Sequence, residues 1–282
     1  MTPRTALVLG RVSNLPTVWT NAGAGLALAG GELAPAPFLL LLVALSLFYT
    51  GGMYLNDAFD AAIDRRERAE RPIPEGAVGE VTVWVAGWAQ LAVGAGLVFL
   101  LDVRAGLAAL VLAAAIVAYD AWHKRTRLSP LLMGLARMLV YVTAAAAAGA
   151  VWGAPVVGGA LGLFGYVVGL TYAARQEAYD RLGALWPLAV LAVPFVVGLA
   201  RLPAAPVTGL FLLALVLWTG WALRLLMRRR RGDVPRAVAS LIAGIALYDA
   251  VLIAGTGATV WAVAAVGGFA LTLALQRLVP GT

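Results

Sequence analysis

Apolar residues run through this chain in long blocks, broken at near-regular intervals by short polar connections. Ten blocks stand out, over residues 16–30, 37–55, 81–101, 106–119, 131–150, 156–174, 185–200, 207–226, 237–254 and 258–278. Many are close to the ~20 residues that a helix needs to cross about 30 Å of hydrocarbon. The pattern predicts an all-α, polytopic transmembrane helical bundle, with residues 1–282 forming a single integral-membrane domain. The opening residues have a short apolar patch interrupted by Arg11 and do not read as a signal peptide.

The connections alternate in character. Those after the odd-numbered blocks are short and nearly uncharged, whereas those after the even-numbered blocks are polar and basic. Of 21 Lys and Arg residues, only Arg104 and Arg201 fall on the quiet side. The positive-inside rule then makes the basic side cytoplasmic, with both chain termini on it, and the inner membrane of a bacterial cell is the expected setting. The run Arg228–Arg231 fits the same topology and would attract anionic lipid headgroups.

Composition agrees with this picture. Hydrophobic residues make up 62% of the chain, mean hydropathy is +0.89 and only 12% of residues are charged, against about a quarter in soluble domains. The net charge of +7 sits in the connections, so no nucleic-acid partner is inferred from it. Cysteine is absent and His123 is the one histidine, which excludes disulfides, thiolate chemistry and His-rich metal sites.

Against that greasy background the stretch 56–76, NDAFDAAIDRRERAERPIPEG, is conspicuous. If the second block stays helical past its apolar part, Asp57, Asp60 and Asp64 stand at i, i+3 and i+7, within about 60° of arc, with Asn56 beside Asp60. Three anions on one face repel one another and call for a cation, and oxygen-only ligands suit a hard ion such as Mg²⁺. The blander reading is a solvated helix end in which Asp64–Arg68 and Glu67–Arg71 pair at i, i+4. That pairing leaves the same-face aspartates unexplained.

The pattern Asn-Asp-x-x-Asp-x-x-x-Asp followed by Arg71-Pro72-Ile73-Pro74-x-Gly76 resembles the UbiA superfamily of intramembrane prenyltransferases. The stretches MGLARML and YAARQE look like a less characterised branch of it, such as the one encoded with the Ebo genes. The resemblance implies nine helices around a central cavity, where the ten blocks here imply nine to ten. It also implies Mg²⁺ held by the aspartates, and through it the diphosphate of a prenyl diphosphate donor. The acceptor would be a small molecule, of aromatic character in the first reading. Metal and arginines would stabilise the charge that grows on the leaving diphosphate, while the bundle keeps water from the allylic cation.

On this resemblance Asp57, Asp60 and Asp64 bind metal and serve catalysis, and Asn56 and Arg71 bind diphosphate. The fourth block ends in Tyr119-Asp120-Ala121-Trp122-His123-Lys124-Arg125, similar to a family stretch with a tyrosine before a Lys-Arg pair. There Lys124 and Arg125 would meet diphosphate oxygens and Tyr119 the cation or acceptor, while His123 reads as interfacial filler. A second metal-binding motif is expected at the end of the sixth block. Here it reads Gln176-Glu177-x-x-Asp180, with Gln176 where the family has an aspartate. Glu177 and Asp180 are the metal candidates there, and Gln176 is assigned to the diphosphate. Arg137, about a turn and a half inside its block, calls for a diphosphate or carboxylate partner. Asn14 resembles a family position near the diphosphate, as do Arg11 and Asn21 with less force. No partner is assigned to Asp249. The rival reading, encouraged by Gln176, is a non-catalytic protein that carries an isoprenoid or aromatic metabolite.

Overall fold

The computed structural model describes residues 1–150, 153–179, 186–203 and 205–281, the last five of the 153–179 stretch and the first two of the 186–203 stretch by backbone alone. Every described element is helical. A short α1 (Pro3–Leu9) is followed by a 3-10 turn (Val12–Asn14) and then by α2 (Leu15–Ala29), α3 (Pro35–Glu67), α4 (Glu80–Leu101), α5 (Val103–Trp122), α6 (Ser129–Ala147) and α7 (Ala154–Tyr179). The chain continues through a 3-10 stretch (Trp186–Ala192) into α8 (Val193–Leu199), α9 (Thr208–Arg228), α10 (Asp233–Ala254) and α11 (Thr259–Leu275). Seven of these helices, α3 to α7, α9 and α10, are long and apolar enough to cross a membrane.

The expectation of nine to ten helices is met in a particular way. Nine of the ten apolar blocks become single helices among the described residues; the seventh becomes the 3-10 stretch and the seven-residue α8. Pro194 opens α8, and a proline ring restricts the residue before it and offers no N–H to a helix running through. A block of the right length is thereby split in two.

Two apolar cores share the bundle. One gathers α2 to α6 around Leu45, Phe48, Leu55 and Leu112. The other gathers α2, α6, α7 and α9 to α11 around Leu163, Tyr166, Leu215 and Tyr248. Helices α2 and α6 belong to both and form the seam. They approach closely because of Gly25, where an added Cβ would lie 2.8 Å from the Tyr141 carbonyl oxygen and 2.9 Å from the Ala144 Cβ. Small residues let helix backbones meet in this way in lipid, where packing replaces the hydrophobic drive. On the flank of the seam an apolar groove of about 520 Å³ runs between α2 and α3, bordered by Leu15, Trp19, Leu42 and Leu47.

A third, smaller core caps one end. Leu9 from α1 packs with Tyr54, Ala58 and Ala61 of α3, with Val83 of α4, and with Ile73 and Val78 of the intervening loop. The Tyr54 hydroxyl donates to the Ala6 carbonyl at 3.2 Å. This cap holds three separate chain segments over the end of α3 that carries the aspartates.

Candidate active site

Helix α3 runs 33 residues without a break, so the apolar span and the aspartate face are one rigid rod. Asp57, Asp60 and Asp64 share a face, as their spacing requires, and that face is buried: they are 8%, 6% and 1% exposed. Carboxylates are almost never buried to this degree unless paired, and the rest of the site supplies the pairs.

Arg71 arrives first. Helix α3 stops at Glu67, the Arg68 N–H closes on the Asp64 carbonyl at 2.8 Å, and Pro72 and Pro74 prevent the helix from resuming. Gly76, at a φ of 79°, turns the loop back, and Ile73 and Val78 sink into the cap. This return brings Arg71 Nη1 to 3.1 Å from Asp57 Oδ1 and 2.9 Å from Asp64 Oδ2. The i, i+4 pairing of Glu67 with Arg71 and Asp64 with Arg68 is therefore not what forms, because the helix ends before those partners can stack.

Arg11 comes from the other side. It sits at a φ of 42° between α1 and the 3-10 turn, a left-handed conformation that costs a non-glycine residue about 1–3 kcal/mol. Its guanidinium offsets that strain by donating to Asp57 Oδ1 at 3.1 Å, Asn56 Oδ1 at 3.3 Å and the Met53 sulfur at 3.2 Å. Burial disfavours the charge on Arg11, but Asp57, with Tyr49, Tyr119 and Asp120, outweighs it and lifts the pKa above the usual value. The side chain is thus cationic at any working pH.

The end of α5 closes the third side. Lys124 Nζ lies 3.1 Å from Asp60 Oδ2 and 3.8 Å from Asp64 Oδ1. His123 Nε2 lies 3.3 Å from the same Asp60 oxygen, and its Nδ1 faces the Asp120 carbonyl at 3.1 Å. The Tyr119 ring stacks on His123 at 5.0 Å between centroids. His123 is therefore a member of the site and not interfacial filler. Asp120, which the sequence places only at the right end of the bundle, is buried here and accepts from Asn56 Nδ2 at 3.1 Å. Arg125 is exposed, one residue beyond Lys124, and has no ion pair among the described residues.

The other sequence candidates lie elsewhere or beyond description. Asn14 is buried against the C-terminal segment: it donates to the Tyr49 hydroxyl and the Gly281 carbonyl and accepts from Gln276. Arg137 donates to Thr17 and lies over the Tyr49 ring, 5.8 Å from its centroid. Asn21 reaches Asp249, which also receives the hydroxyls of Thr20 and Tyr141. Gln176 and Glu177 lie on the last turn of α7 with only their backbone described, and Asp180 lies outside the described residues.

The cluster has the donor set of a hard cation. Its ligands are oxygens only, and two buried carboxylate oxygens, Asp64 Oδ1 and Asp120 Oδ2, have no hydrogen-bond donor. Among the described residues no three carboxylate or imidazole groups converge as a closed metal cage. That is no misfit for Mg²⁺, which takes one or two carboxylates and fills its other positions with water and substrate phosphate. The cation that the crowded aspartates call for is in part supplied by the protein itself, in Arg11, Arg71 and Lys124.

The family model for the UbiA prenyltransferase family matches residues 16–238. Among curated proteins, protoheme IX farnesyltransferase 1 of Cenarchaeum symbiosum is 34% identical over 176 residues, which is 59% of this chain and 54% of that protein. Digeranylgeranylglyceryl phosphate synthase of Metallosphaera sedula is 33% identical over 111 residues, 37% of this chain and 39% of that one. The chain thus aligns with about half or less of the length of these relatives. Among solved structures, the apo UbiA homolog from Aeropyrum pernix K1 superposes with a TM-score of 0.68 at 20% identity, covering 87% of this chain and 98% of that one. The UbiA homolog from Archaeoglobus fulgidus bound to GPP and Mg²⁺ gives 0.55 at 15% identity, covering 96% and 98%. At such identities these likenesses speak for the fold alone. The family match spans most of the chain, and the chain belongs to the UbiA prenyltransferase family.

Proposed function

We propose that this protein is an intramembrane prenyltransferase that uses Mg²⁺ to move an isoprenoid chain from a prenyl diphosphate to a small, aromatic acceptor. The observation that carries the reading is the cluster at the end of α3. Four buried carboxylates and three cations meet at one end of a bundle whose spans are apolar. A structural ion pair needs far fewer groups. A site that must accept a diphosphate and its counter-ion together needs both signs of charge.

Arg71 and Lys124 each bridge two aspartates. Diphosphate oxygens would compete for these two side chains, and for Arg11, leaving Asp57, Asp60 and Asp64 oxygens for Mg²⁺. Bound there, Mg²⁺ would supply Lewis-acid stabilisation of the charge that develops on the departing diphosphate. The three cations add to this stabilisation, which grows as the allylic C–O bond breaks. Arg71 suits the task because its planar guanidinium can hold two oxygens at once. Tyr119, stacked on His123 at the rim, presents a ring to the nascent carbocation, and the apolar bundle excludes water that would quench it. Gln176, Glu177 and Asp180 belong to the same proposal as a second, weaker-charged half of the site. In this reading the basic end that carries the cluster faces the cytoplasm, as the positive-inside rule expects.

The test is product mass spectrometry on the purified protein with Mg²⁺, a set of prenyl diphosphates and a panel of phenolic acceptors. Transfer by the wild type that is lost in Asp60→Asn is the expected result. Donor binding with neither transfer nor diphosphate release across the panel would overturn the reading in favour of a carrier.

A further inference from the structure

The charges of the cluster do not balance. Asp57 pairs with Arg11 and Arg71, Asp64 with Arg71 and Lys124, and Asp60 with Lys124 and His123. Asp120 is the fourth carboxylate. It sits in the last turn of α5, 3% exposed, and no cation lies within ion-pair distance of it among the described residues. Its Oδ1 takes the Asn56 amide at 3.1 Å, and its Oδ2 has no hydrogen-bond partner among the described residues. Three permanent cations therefore face four buried carboxylates. A buried, unpaired carboxylate oxygen is costly unless something completes its shell.

What would complete it is set by the neighbours. Among the described residues, Asp64 Oδ1, from the facing helix, is the other buried carboxylate oxygen without a hydrogen-bond donor. Two helices thus each bring a carboxylate oxygen without a hydrogen-bond donor to the same cluster, Asp64 Oδ1 having only Lys124 at 3.8 Å. Asn56 ties the two sides together: it donates to Asp120 and accepts from Arg11, which holds Asp57. An outer hydrogen bond of this kind fixes one carboxylate oxygen and leaves the other directed, as the partners of metal-binding groups do.

We propose that Asp120 is a further ligand for a divalent cation in this site, contributing Oδ2 from α5 opposite the α3 aspartates. This rests on the prenyl-diphosphate reading above. It gives the site a metal-facing carboxylate on a second helix, within the described residues and independent of Gln176, Glu177 and Asp180.

The test uses the full-length protein in detergent, with Mn²⁺ in place of Mg²⁺ and geranyl S-thiolodiphosphate as an unreactive donor. Free Mn²⁺ is counted by electron paramagnetic resonance, and unfolding is followed in EDTA. Asp120→Asn is expected to raise the Mn²⁺ concentration at half-saturation by about tenfold or more, with an unfolding temperature in EDTA that is unchanged or higher. Wild-type binding with the same half-saturation in Asp120→Asn overturns the inference and leaves the proposed function standing. No Mn²⁺ uptake by the wild type with the donor analogue overturns both. Should Asp120→Asn not fold, wild-type protein loaded with Fe²⁺ and exposed to ascorbate and peroxide serves instead. Cleavage at residues 119–121 as well as 57–64 supports the inference, and cleavage confined to 57–64 overturns it.

Discussion

Two of the places where carboxylates are buried in this bundle are built on opposite plans. At the end of α3 and α5, Asp57, Asp60, Asp64 and Asp120 are met by Arg11, Arg71 and Lys124, with oxygens left over. Within the second core, Asp249 of α10 is fully buried and takes its hydrogen bonds from neutral groups, the Thr20 and Tyr141 hydroxyls and the Asn21 amide, which reaches both of its oxygens, while Arg137 acts on it only through space. The unpartnered atom there is Asn21 Oδ1, not a carboxylate oxygen. The two groups are joined along α2, whose approach and first turns present Arg11, Asn14, Thr17 and Thr20 in succession. The difference separates two uses of one side chain. A carboxylate shared among several cations can exchange partners, whereas one hydrogen-bonded by neutral dipoles clamps three helices, α2, α6 and α10, at their seam.

The comparison breaks most visibly through Asp60. Asp60→Asn removes an anion from a crowded cluster, so turnover should fall about 10²–10³-fold, the range for losing one preorganised electrostatic contact. Unfolding in the absence of metal should become only slightly easier, because the lost contacts to Lys124 and His123 are partly offset by relief of like-charge repulsion. Initial rates of diphosphate release and denaturation in detergent, measured on the same preparation, check both halves. A stability loss that accounts for the lost rate would assign the cluster the clamping role instead.

Asp249 should behave in reverse. Asp249→Ala strands the hydroxyls of Thr20 and Tyr141 and the Asn21 amide in a dry core. At about 1–3 kcal/mol for a buried group left unsatisfied, with partial repacking, a loss of about 2–4 kcal/mol is expected. Turnover per folded molecule should stay near the wild-type rate. Reversible unfolding followed by tryptophan fluorescence gives the first number and active-site titration the second. A variant that is stable but inactive would mean that the two groups act as one.

How much of this could be read beforehand depends on how local the cause is. The aspartate face of α3 follows from spacing within one helix and could be read from residues 56–64. The seventh block could not, because length and hydropathy say nothing of where Pro194 divides it. Arg71 was legible as a site residue but not in its partners, since its approach depends on Ile73 and Val78 packing under a cap that α1 completes. Nothing local marks His123 and Asp120 as site residues, for the same reason: their relation to Asp60 and Asn56 is a contact between helices. The partners of Asp249 lie 108 to 229 residues away in the chain. No periodicity carries that information. Asn14 and Arg137 have the right residue types at the right helix ends, yet the structure gives them Tyr49, Gly281 and Thr17 as partners.

Arg71 tests whether the cluster's cations are free to exchange. Arg71→Lys keeps the charge but gives up the planar fork that diphosphate oxygens would use, even though a single nitrogen, Nη1, makes both of its contacts to Asp57 and Asp64 here. Donor affinity should fall about tenfold, which is about 1.4 kcal/mol, and Arg71→Gln should cost more than Arg71→Lys. Equilibrium binding of the thiolodiphosphate analogue measures both. Equal losses in the two variants would mean that fork geometry, not charge, carries the binding.

The smallest effect is expected where the same chemistry sits in water. Arg65 Nη2 lies 2.6 Å from Glu80 Oε2, closer than any ion pair in the cluster, and joins the end of α3 to the start of α4. Its side chains are 54% and 37% exposed, against 18% and 2% for Arg71 and Asp64. Solvent screens the attraction, and ordering two long side chains costs entropy, so an exposed pair contributes about 0–1 kcal/mol. Arg65→Ala should therefore shift unfolding by less than about 1 kcal/mol and leave donor binding unchanged, with any shift vanishing as salt is raised. Urea titrations at low and high ionic strength decide it. If Arg65→Ala cost as much as Arg71→Gln, short distance rather than burial would be what gives the cluster its strength. The contrast drawn between the two aspartate groups would then lose its physical basis.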